Sequence, residues 1–253
     1  MIIQHNISAI NSYRNLGINQ SALSKNLEKL SSGYKINRAG DNAAGLAISE
    51  SMRSQINGLN QASANAKDAI GLIKTAEGAL SEVHSMLQRM TTLAEQAANG
   101  TYNTVARGNI QEEYKALTKE IKRISENADF NGIKPLTTGK EMTMTFQIGP
   151  TSGETITVDK EDIYGKTVTA AMSLKLSVQN DAKNALKTIK TAIDDVSTYR
   201  AKLGAAQNRL EHTVNNLKVT SENIPSAESR IRDTDMADEI TAYTKNNILL
   251  QAA

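Results

Sequence analysis

The sequence predicts a mainly α protein: a long antiparallel helical bundle or coiled-coil rod with one small β-hairpin. Three observations lead there. Apolar or small residues step by three and four through most of the chain, the signature of a helix with one buried stripe. Only 141–158 breaks that rhythm, with Met142, Met144, Phe146 and Ile148 alternating as in a strand. Finally, the 253 residues are 39% hydrophobic but only 4% aromatic, with no Trp and two Phe, which suits thin, closely packed helices better than a thick globular core.

The first long helix is expected over about 44–98. Its stripe runs Met52, Ile56, Leu59, Ser63, Ala66, Ile70 and Ile73, then Ala76, Leu80, Val83, Leu87, Met90, Ala94 and Ala97. Two steps of three meeting at Ile73 read as a stammer in a heptad repeat. At 1.5 Å per residue such a helix extends roughly 80 Å, and Gly58, Gly71 and Gly78 make it depend on partners rather than on propensity. A shorter helix is expected over about 105–128, with Ile110, Tyr114, Leu117, Ile121 and Ile124 in phase and a polar stop from Asn127 to Gly132.

The second long helix is expected over 179–224, striped by Leu186, Ile189, Ile193, Val196, Leu203, Leu210, Val214, Leu217 and Ile224. Arg200, Gln207 and Ser221 fall in its seam, and Pro225 is its expected stop. The terminal segments are also striped: Ile7, Ile10, Tyr13, Leu16, Leu23, Leu27, Leu30 and Tyr34 at one end, Met236, Ile240, Tyr243 and Leu250 at the other. Each lies beyond a Gly- or Pro-marked connector, at 37–45 and 225–233. The order is therefore terminal helix, connector, long helix, small centre, long helix, connector, terminal helix. Short connections let the long helices lie antiparallel. Within 141–158, Gly149-Pro150-Thr151-Ser152-Gly153 supplies the turn, and Thr155 to Val158 the returning strand.

Several function classes lose their support. The net charge is +2, with both signs mixed along the chain and no basic run or aromatic platform for nucleic acid. No apolar run reaches the roughly 20 residues of a membrane span. The start, Met1 to Asn6, lacks the n- and h-regions of a cleaved export signal. Without cysteine there is no disulfide, thiol catalysis or thiolate metal site. His5, His84 and His212 have no metal-ligand spacing. Glu112 with Glu113, and Asp194 with Asp195, are helix neighbours that do not face each other. With no nucleophile motif or cofactor loop, neither an enzyme nor a cofactor is expected.

The connectors hold the informative clusters. In Ile36 to Ile48, small residues permit close backbone approach, Arg38 can pair with Asp41, and Asp41 or Asn42 can cap the following helix. In Ser226 to Ala237, Asp233 or Asp235 can cap the last helix.

The stretch Leu30-Ser31-Ser32-Gly33-Tyr34-Lys35-Ile36-Asn37-Arg38-Ala39-Gly40-Asp41-Asn42-Ala43-Ala44-Gly45-Leu46-Ala47-Ile48 resembles the N-terminal signature of bacterial flagellin. Leu203 to Glu211 and Ala227 to Asp235 resemble its C-terminal one. The resemblance covers about 1–135 and 180–253. It implies an inner layer called D0, residues 1–40 with 232–253, and a rod layer called D1, residues 41–231, with about 45 residues between the two rod parts and so no outer domains.

The function so implied is mechanical: copies stack into a hollow extracellular filament turned by a rotary motor. The subunit is exported unfolded through the flagellar secretion channel, with an export chaperone and a cap as further partners. Asn37, Arg38, Gly40, Asp41, Arg230, Arg232 and Asp233 are the implied assembly and connector residues. The resemblance also implies recognition by the innate immune flagellin receptor, Toll-like receptor 5, through Leu87, Gln88, Arg89, Leu93, Gln96 and Glu113. Within that patch Thr91 and Thr92 stand where many flagellins carry an Arg and an acidic residue, and Glu95 replaces a common Val. Flagellins usually extend some twenty residues past the Lys245-Asn246-Asn247-Ile248-Leu249 match, so a shortened D0 strip and poor formation of long filaments are expected. The alternative within the resemblance is a junction protein between hook and filament, which usually carries a larger central insert.

Overall fold

A computed structural model describes residues 6–137, 143–161, 165, 169 and 174–252. Met142 of the expected hairpin and His5 lie outside the described residues. Among those described, the order is α1 (Ile7–Ser32), α2 (Ala43–Ala98), α3 (Thr104–Asn127), β1 (Thr143–Gln147), β2 (Thr155–Asp159), α4 (Gln179–Arg232) and α5 (Met236–Ala252). The chain divides into two compact units, residues 61–218 and residues 1–60 with 219–253.

Local chemistry sets most of the ends. The Asn6 side chain accepts from the Ala9 N–H at 3.1 Å and opens α1. Gly33 closes it in the left-handed region (φ 75°), where its N–H reaches the Lys29 carbonyl. Asn42 caps α2 through the Gly45 N–H at 2.9 Å, and Asn103 caps α3 through Ala106 at 2.8 Å. After α3, Asn131 (φ 53°) and Gly132 (φ 83°) turn the chain so that Phe130 and Ile133 bridge antiparallel. β1 and β2 form the expected hairpin, paired from Thr143 with Asp159 to Gln147 with Thr155.

In the unit of residues 61–218, α2 and α4 run antiparallel. The Gln179 amide, at the start of α4, donates to the Ala98 carbonyl at the end of α2, and Arg200 pairs with Glu77 at 3.6 Å. Along α2 the buried seam runs Ala62, Ala66, Ala69, Ile73, Ala76, Leu80, Val83, Leu87, Met90, Ala94 and Ala97, with Leu72 and Leu93 buried beside it. The seam steps four and three without interruption, so the stammer expected at Ile73 does not occur. Ala62 and Ala69, not Ser63 and Ile70, occupy the seam, because alanine lets neighbouring helices approach closely while Ile70 packs on its flank.

The same correction applies to α4. Ala185, Ala192, Tyr199 and Ala206 are buried, whereas Arg200 and Gln207 lie outside the seam. Arg200 turns toward Glu77, and Gln207 donates to Glu211 at 2.9 Å. Ile110, Tyr114 and Ile121 add the inner face of α3. Met144, Ile156 and Val158 bury one face of the hairpin in the same core, which an isolated hairpin needs for stability. The Tyr199 hydroxyl donates to the Pro135 carbonyl at 3.2 Å, and burial pushes its phenol up to about 12.

The expected stop at Pro225 is also overturned: α4 continues through it to Arg232. Proline removes one donor and crowds the carbonyl four residues back, costing ~3 kcal/mol in a helix interior. Bonds to α2 on both sides of it hold the axis. Ser221 donates to Asn60 at 3.1 Å, and the Ser49 hydroxyl donates to Glu228 at 3.3 Å. The 225–233 connector thus shrinks to the short break between Arg232 and Met236.

Candidate assembly and recognition sites

In the unit formed by both chain ends, α1 and α5 lie antiparallel. Tyr34 bridges Asp233, Lys29 pairs with Glu239 at 3.5 Å, and the Asn26 amide meets Glu239 and Asn246 further along. Asn26 is the one buried residue of α1, and α5 has none. Much of their stripes faces outward: Ile7 is 69% exposed, Tyr13 80% and Ile248 60%, with Ile10, Leu27, Ile240 and Leu249 also open, while Leu23, Leu30, Tyr243 and Leu250 are half-buried. A pair of helices that leaves this much apolar surface in water has a surface suited to further helices.

The connectors form a bonded cluster. The Lys35 N–H donates to the Arg232 carbonyl at 2.7 Å, and the Thr234 N–H donates to the Gly33 carbonyl at 3.0 Å. Asp41 does not pair with the Arg38 guanidinium as expected. Its carboxylate accepts the backbone N–H groups of Arg38 (3.1 Å) and Asn37 (3.2 Å), which hold it below the ordinary aspartate range. The Arg38 guanidinium reaches Glu28 at 2.9 Å. The Asn37 amide donates to the Tyr34 carbonyl at 3.0 Å, completing the turn.

Behind that turn Ile36 is buried against Gly45, where a Cβ would stand 2.7 Å from the Ile36 Cδ1 atom. This is the close approach for which small residues were expected. Gly40, by contrast, has open space around it and needs no special backbone conformation.

Arg232 is the centre of the cluster. Its guanidinium donates to Glu50 at 2.6 Å and Ser49 at 3.2 Å, and lies 4.7 Å from the centre of the Tyr34 ring. Asp235, not Asp233, caps α5 through the Ala237 N–H at 2.9 Å, leaving Asp233 in the bridge to Tyr34. Arg230 is exposed, and its side chain makes no hydrogen bond or ion pair among the described residues. Sequence reasoning missed Glu28, Ser49, Glu50 and Tyr34 as partners. Ser49 and Glu50 are remote from Arg232 along the chain, and no local pattern marks them.

The second group lies on α2 and α3. Arg89 and Glu113 meet as a salt bridge at 2.8 Å, which raises the guanidinium pKa and keeps it charged. Gln88 bonds the His84 ring at 3.0 Å. Gln96, seven residues beyond Arg89, shares its exposed face. Leu87 and Leu93 are 0% and 1% exposed. They belong to the core beneath the patch and present no surface, because Leu87 falls on the α2 seam and Leu93 packs beside it. Thr91 and Thr92 turn their hydroxyls back onto the Leu87 and Arg89 carbonyls. Among the described residues no acidic or histidine cluster could hold a metal, and no helix is long and apolar enough to cross a membrane.

Comparison with known proteins agrees with this architecture. Residues 3–141 match the bacterial flagellin N-terminal helical region, and 186–253 match the bacterial flagellin C-terminal helical region. The flagellin of Halalkalibacterium halodurans is 48% identical over 254 residues, covering 100% of this chain and 93% of that protein. A flagellar filament 33 kDa core protein of Treponema phagedenis is 45% identical over 271 residues, with 100% and 93% covered. The crystal structure of Bacillus cereus flagellin superposes with a TM-score of 0.56 at 34% identity, covering 61% of this chain and 88% of that one. Both signatures, in order and on helices that pair antiparallel, place this chain in the bacterial flagellin family.

Proposed function

We propose that this flagellin builds an extracellular motility filament by burying the outward stripes of α1 and α5 against neighbouring copies. Flagellins are structural filament subunits, and the observation that supports this route here is the open apolar face on both terminal helices. Each helix alone is marginal in water, so a neighbour that covers the stripe both orders and joins the subunits. In this reading residues 1–40 and 232–253 form the inner D0 layer, and 41–231 form the D1 rod. The subunit leaves the cell unfolded and meets an export chaperone and a cap on the way. The relatives are named flagellin and filament core protein, which disfavours the hook-junction alternative. Sedimentation velocity at rising concentration tests the route. The unaltered chain is expected to self-associate, and a chain carrying Ile10→Asp and Ile240→Asp to remain monomeric; equal association of the two would rule out these stripes.

A second reading is that Toll-like receptor 5 recognises Gln88, Arg89, Gln96 and Glu113, with Leu87 and Leu93 supporting them from below. It is favoured by the Arg89–Glu113 pair, which holds a charged, planar donor at a surface rimmed by amides. Arg89→Ala is expected to weaken receptor binding about tenfold or more, a hot-spot loss of over ~1.4 kcal/mol. Surface plasmon resonance with the receptor ectodomain measures it. Unchanged affinity, with the helical circular dichroism intact, would take Arg89 out of the contact.

A further inference from the structure

We propose that Asn99, in the turn between α2 and α3, is a self-modification site that converts through a cyclic imide to aspartate or isoaspartate. The chain contains three Asn–Gly pairs in described segments: Asn57-Gly58, Asn99-Gly100 and Asn131-Gly132. The chemistry at such a pair needs no catalyst. The Gly backbone nitrogen, once it loses its proton, attacks the Asn Cγ atom. The new N–Cγ bond closes a succinimide, and the Cγ–Nδ2 bond breaks to release ammonia. Water then adds at either imide carbonyl, giving aspartate or isoaspartate. Folding controls the rate through the freedom of the N–H and through whatever stabilises the two negative charges that develop.

The three sites differ on these points. Gly58 lies inside α2, where its N–H belongs to the helix ladder and helical geometry keeps it from the preceding side chain. The Gly132 N–H donates to the Asp129 carboxylate at 3.1 Å, so a negative charge already opposes loss of that proton. At Asn99 the helix has just ended. Asn99 and Gly100 are both exposed, and the Gly100 N–H finds no acceptor among the described residues.

Two positive features are found at this pair. The Arg107 guanidinium donates to the Asn99 carbonyl at 3.0 Å, and the same side chain is anchored by a 2.9 Å bond to the Ala97 carbonyl. The Asn99 carbonyl is the oxygen onto which charge delocalises when the Gly100 nitrogen ionises, so a fixed cation there acidifies the nucleophile. The Thr101 N–H donates to the Asn99 Oδ1 atom at 3.2 Å, the oxygen that gains charge when Cγ is attacked. One donor thus serves the amidate and another serves the tetrahedral oxyanion. The product carboxylate remains beside Arg107, and the isoaspartate form adds a methylene to the backbone of the α2–α3 turn.

The full chain, incubated in mildly alkaline buffer and mapped by peptide mass spectrometry with enzymatic isoaspartate labelling, tests this. The same incubation in guanidinium gives the unfolded rate at each pair. Folding is expected to slow Asn57 and Asn131 at least about tenfold while leaving Asn99 as fast as, or faster than, in the unfolded chain. Slowing of Asn99 to the same extent as Asn131 would overturn the proposal. Arg107→Gln is expected to slow folded Asn99 about tenfold, the rate equivalent of one charged hydrogen bond lost from the developing anion. An unchanged rate in that variant would remove the activation argued here. Gly100→Ala supplies a second arm, because the added Cβ stands 3.9 Å from the Gln179 amide and fits without disturbing the fold. It is expected to preserve Asn99, and conversion at the original rate would show that the product does not arise by attack from residue 100.

Discussion

Replacing Leu80 with Ala should destabilise the unit of residues 61–218 by about 3 to 5 kcal/mol, the cost of emptying a fully buried leucine site. Leu80 is wholly buried on the α2 seam, one step from Ala76 and one from Val83, within a core that α3, α4 and the hairpin share. Alanine neighbours cannot swell into the space left behind, so the cavity stays largely open and the cost lies toward the upper end. On a body of this size that corresponds to a fall of roughly 10 °C in the melting temperature. Thermal unfolding followed by circular dichroism measures it, with Leu27→Ala as the control. Leu27 is 56% exposed on α1, so its truncation should change stability by less than about 0.5 kcal/mol. A Leu80→Ala loss as small as that would mean that the α2 seam is not packed as described.

Arg232→Ala should have the next largest effect, about 2 to 3 kcal/mol on the unit that contains both chain ends. The change removes a nearly buried guanidinium from Glu50, Ser49 and the Tyr34 ring, and takes a cation from the last turn of α4. Glu50 is half exposed, so water recovers part of the loss and the cost stays below that of a fully buried pair. The local readout is hydrogen exchange. The Lys35 and Thr234 N–H groups bond across the two connectors and should lose protection together in the variant. Arg230→Ala, two residues away and exposed, should leave both amides protected. Equal exchange in the two variants would show that Arg232 does not hold the connectors together.

These two residues also show how far the sequence could be read. Leu80 sits in a stripe that is legible from spacing, because an aliphatic at every third or fourth position has one obvious side to bury. Where two adjacent residues both suit the seam, spacing fails. Ala69 and Ile70, Ala192 and Ile193, and Tyr199 and Arg200 each differ by one helical step of roughly 100°, since 3.6 residues make a turn. A preference for bulk selects Ile70 and Ile193, yet the close-packed helices bury the alanines. Likewise Leu87, which spacing puts in the stripe, and Leu93 read as surface contacts by resemblance, and packing makes both core. Pro225 is the converse case: a strong local stop signal that bonds from the facing helix outweigh.

What the sequence alone determined is therefore the local part. Gly33 and the Asn caps at 6, 42 and 103 set helix ends through bonds made within a few residues. Alternation around a Gly-Pro turn sets the hairpin, and paired terminal signatures identify a flagellin. Tertiary structure decided which of two neighbouring stripes is buried, where α4 ends, and that Arg232 seeks Glu50 and Tyr34. It also fixed the Arg107 bond to the Asn99 carbonyl. The physical reason is range. Caps and turns are made by residues that chain geometry already holds together, whereas seams and ion pairs depend on the free energy of bringing distant segments into contact.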